Sequence, residues 1–353
     1  MSSKAIKTKK QTGYNLSALS TTRDLLFGLA TLMVVLFHSY INIPTALPST
    51  PLLASILSVI HQHCNKGVDM FLFMSGIGLF YSMSNNPKLR DFYKKRATRI
   101  LPALFIVAAL WFAYDKPDGI GGYFSDVFFV TFFTDGVRNF WYFILIIFLY
   151  AVYPLIHKLY QKTGFFGMLG SVIGVIAINY ILMKTAPTFY GHTEIALTRI
   201  PVFLLGAWAG KFVKEGKTIS WLWIALSVVG IIGIYVFYAI SPFKELLYIY
   251  RYIGGIFAIC ILFAFSALFS FCKLGAFGTF LIWLGGYSME IYLIHEKAAS
   301  IFYNSFHTND PSKIVYYIAI FFITVVFAMG LKAICQSLDK NLFYRNDLKK
   351  KKS

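Results

Sequence analysis

An all-α polytopic membrane bundle of about ten transmembrane helices, with both termini in the cytoplasm, is the fold this sequence predicts, and three observations predict it. Hydrophobic residues make up 58% and aromatic residues 18% of the 353 positions, with a mean hydropathy of +0.64, more than a soluble globule needs to fill its core. Apolar stretches recur along the whole chain. Basic residues gather in alternate intervals between those stretches.

The stretches run approximately from 24 to 43, 67 to 83, 100 to 114, 140 to 156, 165 to 183, 196 to 210, 219 to 240, 248 to 270, 277 to 298 and 314 to 335. Several approach the roughly 20 residues that cross about 30 Å of hydrocarbon, and the short third and sixth rely on basic flanks drawn to the interface. Helices are expected throughout, because unpaired backbone groups are too costly in lipid. The interval from 114 to 139 holds the Phe- and Val-rich run Phe124 to Phe133 between aspartates, which suits an interfacial or re-entrant helix as well as a loop. No interval is long enough for a soluble domain. The chain divides into a basic N-terminal segment (1–19), one membrane domain (20–335) and a basic C-terminal tail (336–353).

A net charge of +18 would suggest nucleic acid in a soluble protein, but here the placement of charge matters more than its total. Lys7, Lys9 and Lys10 precede the first stretch; Lys88, Arg90, Lys94, Lys95, Arg96 and Arg99 lie between the second and third; Lys211, Lys214 and Lys217 lie between the sixth and seventh; Lys349 to Lys352 close the chain. In a ten-span chain these intervals share one side, which the positive-inside rule assigns to the cytoplasm. No basic run is interleaved with aromatics in the manner of a nucleic-acid surface. Cys64, Cys260, Cys272 and Cys335 have no metal-ligand spacing and suggest no disulfide framework. The first apolar run is too long for a signal-peptide core and lacks a small-residue cleavage pattern, so it is expected to be retained.

Ionisable residues at or inside membrane spans are the first places to look for chemistry. Arg23 and Asp24 open the first stretch and His38 lies near its end. In an ideal helix Asp24 and His38 fall within about 40° of one face but about 21 Å apart, so they serve opposite ends of a long ligand or channel, or else act as separate interfacial anchors. A neutral His38 imidazole has the properties of a general base. Asp69, opening the second stretch, suits orientation of a histidine, a bond to a substrate hydroxyl, or simply a favourable charge at a helix start. Ser75 beside Gly76 suits close helix packing or a pocket wall. Arg96 and Arg99, with Lys95 beside them, suit a phosphate-bearing donor, although topology explains the same charges. Trp141 and Tyr142 read as an interface belt. Tyr287, Ser288, Glu290, Tyr292 and His295 put an acid, hydroxyls and an imidazole into one apolar run, which suits a hydrated pocket or a bundle-stabilising polar network. Glu194 and Arg199 are weaker candidates.

These landmarks, in this order, resemble the integral-membrane acyltransferase-3 family, whose members include acyltransferases acting on bacterial surface polysaccharides. The matching residues are Asp24 with Gly28-Leu29-Ala30 and Phe37-His38; Gly67-Val68-Asp69 through Ser75-Gly76; Arg96 and Arg99-Ile100-Leu101-Pro102; Trp141-Tyr142; and Tyr287-Ser288 through Tyr292-Leu293-Ile294-His295. They extend over roughly residues 20 to 335. The resemblance implies a multi-pass protein of a bacterial inner or cytoplasmic membrane that moves an acetyl or other short acyl group from cytoplasmic acyl-CoA to a hydroxyl of a cell-surface glycan, glycolipid or related acceptor. It makes His38 the leading catalytic candidate, with Asp24 and Arg23, and makes Arg96, Arg99 and Lys95 donor contacts. No permanently bound cofactor is implied; acyl-CoA is a substrate. The lipid bilayer, the donor and the acceptor are the expected partners, and a homo-oligomer is compatible with the sequence. One departure stands out: the family usually has a basic residue eleven positions before the histidine, where this chain has Phe27, and Arg23, one turn earlier, is the candidate replacement. The competing functions are a transporter or flippase of a polar or lipid-linked substrate, which would move substrate without making an ester, and a catalytically weakened binding protein.

Overall fold

The computed structural model describes residues 13–39, 43–115, 119–240, 247–306 and 314–339. In chain order they form β1 (Tyr14–Asn15), α1 (Ala18–Thr21), α2 (Arg23–Phe37), α3 (Ile43–Ala46), α4 (Pro51–His63), a 3₁₀ turn (Cys64–Lys66), α5 (Gly67–Met83), α6 (Leu89–Asp115), α7 (Gly119–Val127), α8 (Val130–Thr134), α9 (Trp141–Thr163), α10 (Phe165–Thr185), α11 (Pro187–Leu197), α12 (Ile200–Lys214), β2 (Thr218–Ile219), α13 (Trp221–Ile240), α14 (Leu247–Phe271), α15 (Gly275–Gly286), α16 (Ser288–Phe306) and α17 (Ile314–Asp339). The protein is an all-α polytopic helical bundle, and each of the ten apolar stretches has a helix as its body.

Six helices among the described residues are long and apolar enough to cross a membrane, and seven if α15 and α16, which meet at 82°, form one broken span. The other stretches make shorter helices: α2 and α5 run for 15 and 17 residues. α5 packs against α2, α12 and α14 in the middle of the bundle, and α2 buries the face of Leu26, Ala30 and Val34. α5 is apolar all round and buried from Gly67 to Met74, as expected of a central helix. The periphery is the reverse. Phe166 on α10 is 78% exposed and Leu155 on α9 is 68% exposed, a surface suited to hydrocarbon.

The interval from 114 to 139 carries two short helices, α7 and α8, separated where Phe129 takes a left-handed conformation (φ 62°). The interval from 43 to 66 contains the thirteen-residue helix α4; Pro51 at its first turn and an apolar face of Leu52, Leu53, Ile56 and Ile60 explain it.

Two close crossings position the site. A Cβ added to Gly28 of α2 would run into the Leu281 carbonyl oxygen of α15, and one added to Gly206 of α12 would run into the Phe73 carbonyl oxygen of α5. Small residues let backbones approach where van der Waals packing drives helix association. At the basic end of the bundle, β1 pairs antiparallel with β2, Tyr14 opposite Ile219, and the Tyr14 hydroxyl donates to Ser266 Oγ at 2.8 Å. Thr22 Oγ1 also meets Ser266 Oγ, at 2.9 Å, so the start of α2 is tied to α14.

Candidate functional site

A cavity of about 560 Å³ enters the bundle where α2 and α6 begin, a size usual for small-molecule sites. Its mouth carries Arg23, Lys95, Arg96 and Arg99; its deeper walls are Phe71, Met74, Tyr142, Phe143, Ile146 and Tyr292. Cations at the mouth and rings in the depth suit a ligand with an anionic end and an apolar end. Arg96 lies 3.6 Å above the Phe92 ring and donates from Nη1 to the Phe92 carbonyl at 2.8 Å, while its buried Nε has no partner among the described residues. A phosphate oxygen would satisfy that donor. Arg23 lies 4.5 Å over the Phe27 ring and 3.2 Å from Asp24 Oδ1, so its guanidinium rests on the residue that stands in the family's basic position. Asp24 and Phe27 also line the cavity.

Inside the cavity, Ser75, Tyr142 and Tyr150 share the lining, and the Arg96 guanidinium lies 5.6 Å from the centre of the Tyr150 ring. Tyr142, Ile146 and Tyr150 are four residues apart on α9, which puts all three on the cavity face.

Beyond the depth of the cavity lie two histidines. His38, just past the end of α2, places Nδ1 at 3.1 Å from Nε2 of His295 on α16. Nδ1 of His295 faces the carbonyl oxygens of Tyr292 at 2.8 Å and Ile291 at 3.2 Å. A carbonyl only accepts, so His295 carries its proton on Nδ1 and, when neutral, presents a lone pair at Nε2. His38 Nδ1 then carries a proton, shared between His295 and the Val34 carbonyl 3.0 Å away. This assignment leaves His38 Nε2 with the free lone pair of a base. The bend between α15 and α16 makes the arrangement: it brings Ser288, Met289 and Tyr292 to the cavity and, one turn further, His295 to His38.

Around the pair, the far ends of α5, α11, α12 and α14 carry a buried charge network. Arg199 and Asp69 are 3.2 Å apart with both side chains buried, so Asp69 pairs with an arginine and not with a histidine. Glu194 takes two bonds from Arg251, each 3.0 Å, and one from Arg138 at 3.3 Å. In the turn ahead of α5, burial pushes the Lys66 ammonium down to about 8 against the opposing pull of Asp69.

Of the residues singled out from sequence, Arg23, Asp24, Ser75, Lys95, Arg96, Arg99, Ser288 and Tyr292 meet at the cavity, and His38 meets His295 beyond it. Trp141 is outside the cavity lining, packed 4.9 Å beneath the Arg199 guanidinium, and its neighbour Tyr142 takes the wall position. Tyr287 holds Lys332 over its ring at 4.2 Å, and Glu290 is buried with Oε2 lacking a hydrogen-bond partner. Sequence reasoning missed Tyr150, Lys66 and Arg251. Tyr150 had a signal in its spacing from Tyr142, and the two cations had one in lying near span ends opposite the basic intervals.

The chain matches the model of an acyltransferase-domain family, acyltransferase-3, over residues 24–333. No curated protein and no solved structure matches it. The matched region contains both histidines, the charge network and every cavity-lining residue except Arg23, and the chain belongs to the acyltransferase-3 family of multi-pass membrane acyltransferases.

Proposed function

We propose that this protein transfers an acetyl or other short acyl group from cytoplasmic acyl-CoA to a hydroxyl of a cell-surface glycan, glycolipid or related acceptor, in a bacterial inner or cytoplasmic membrane. The observation that carries the reading is the paired His38 and His295 lying one helical turn beyond Tyr292 in the wall of a cavity whose mouth holds four cations. The donor's phosphates sit against Arg96, Arg99 and Lys95, with Arg23 on the opposite side of the mouth, and the thioester points inward. The acceptor hydroxyl reaches His38 from the far end. His38 Nε2 takes the hydroxyl proton, the oxygen forms its bond to the acyl carbon, the carbon–sulfur bond breaks, and the CoA thiolate leaves and regains a proton to become the thiol. His295 holds the His38 ring and its tautomer through Nε2. Apolar walls exclude water, which would otherwise hydrolyse the thioester.

The test is transfer from radiolabelled acetyl-CoA in membranes carrying the wild type or His38→Ala, followed by chemical identification of the product. A labelled ester made only when His38 is present is the expected result. Equal labelling with His38→Ala overturns the mechanism, and flux of a polar substrate with no new ester points to a carrier.

A further inference from the structure

The cavity and the histidine pair do not meet. Neither His38 nor His295 lines the cavity, but Tyr292 belongs to both places, a cavity wall whose ring centre lies 5.4 Å from that of His295. Tyr142 lies against it, ring centres 4.8 Å apart. Other rings pack around the two: Trp141 at 6.1 Å and Phe143 at 5.7 Å from Tyr142, and Phe143 at 6.0 Å and the histidine from Tyr292. A thioester that approaches His38 from the cavity therefore brings its carbonyl up to these two rings, and every carbon beyond the carbonyl must enter space that the rings occupy.

We propose that Tyr142 and Tyr292 determine the acyl size the protein accepts, restricting the donor to short-chain acyl thioesters. This rests on the reading that acyl-CoA fills the cavity. Close-packed interiors resist added methylenes, because neighbouring side chains leave their rotamers to make room. Tyr292 supports His295 through its backbone carbonyl, which every substitution retains, so the ring can be changed without removing that bond.

The experiment measures binding of non-hydrolysable thioether analogues of acetyl-, butyryl- and hexanoyl-CoA to the purified full-length protein, alongside competition between acetyl- and butyryl-CoA in membrane transfer. The wild type is expected to bind the acetyl analogue at least roughly 10-fold more tightly than the hexanoyl one, the scale on which apolar pockets discriminate by chain length. Tyr142→Leu and Tyr292→Leu are expected to flatten that profile and shift the transfer ratio toward butyryl, while Tyr142→Phe and Tyr292→Phe keep the wild-type profile. A steep preference surviving in folded Leu variants overturns the proposal. A flat profile in the wild type does so as well, whether or not the Leu variants fold. Binding of no analogue by the wild type overturns the donor reading together with it, a result distinct from binding with an unaltered length profile.

Discussion

Nε2 of His295 lies 3.1 Å from Nδ1 of His38 across 257 positions of sequence, and the two backbone carbonyls behind His295 fix which nitrogen of each ring carries a proton. The tautomer of His38 is thus set by a second imidazole and not by a carboxylate. Asp69, the nearest sequence candidate for that task, is paired with Arg199.

If His295 acts by positioning, His295→Ala lowers the transfer rate by roughly 100-fold or more, because an unheld imidazole loses its place as general base. The KM for acyl-CoA stays near the wild-type value, since His295 is not in the cavity lining. His295→Gln recovers part of the rate through an amide oxygen that can accept from His38 Nδ1. Steady-state kinetics in detergent check this, and a purely structural role would instead move KM and folded yield with no rescue by Gln.

Arg23 holds its guanidinium 4.5 Å over the ring of Phe27, which makes it the candidate for the cation expected at that position. Arg23→Gln is expected to weaken transfer by about 10- to 100-fold, the scale of one charge-assisted hydrogen bond, with the protein still folded. Adding Phe27→Arg in the same chain restores it. Turnover that is near normal in Arg23→Gln removes Arg23 from the donor site.

The Arg199–Asp69 pair is buried on both sides, with 6% and 4% of the side chains exposed. Arg199→Met alone strands a carboxylate in the bundle and costs about 3–5 kcal/mol. Arg199→Met with Asp69→Leu removes both charges and recovers most of that loss. Thermal unfolding of the purified variants in detergent measures the difference; equal destabilisation of single and double variants shows that the pair does not behave as a unit.

Periodicity and apolar length made the helices legible because a chain in hydrocarbon has few other ways to pair its backbone. The mouth of the cavity was legible in part: Arg96, Arg99 and Lys95 lie close together in sequence, and Arg23 with Asp24 interrupts an apolar flank. Tyr142 was not, because a tyrosine at the start of a span serves equally well as an interface anchor, and only packing against Tyr292 distinguishes a cavity wall from a belt.

By itself the sequence determined that this is a multi-pass helical membrane protein of the acyltransferase-3 family, and it singled out His38, the basic residues around Arg96 and the segment from Tyr287 to His295 as the candidates for its chemistry. These follow from local composition and from motif order, which a linear chain displays directly. Only the tertiary structure decided that His38 pairs with His295, that Asp69 belongs to Arg199, and that Tyr292, packed on Tyr142 in the cavity wall, also lies against His295. Those relations join residues distant in sequence, and they depend on the close crossings at Gly28 and Gly206 and on the 82° bend before α16, which set helix position and rotation to within a side chain.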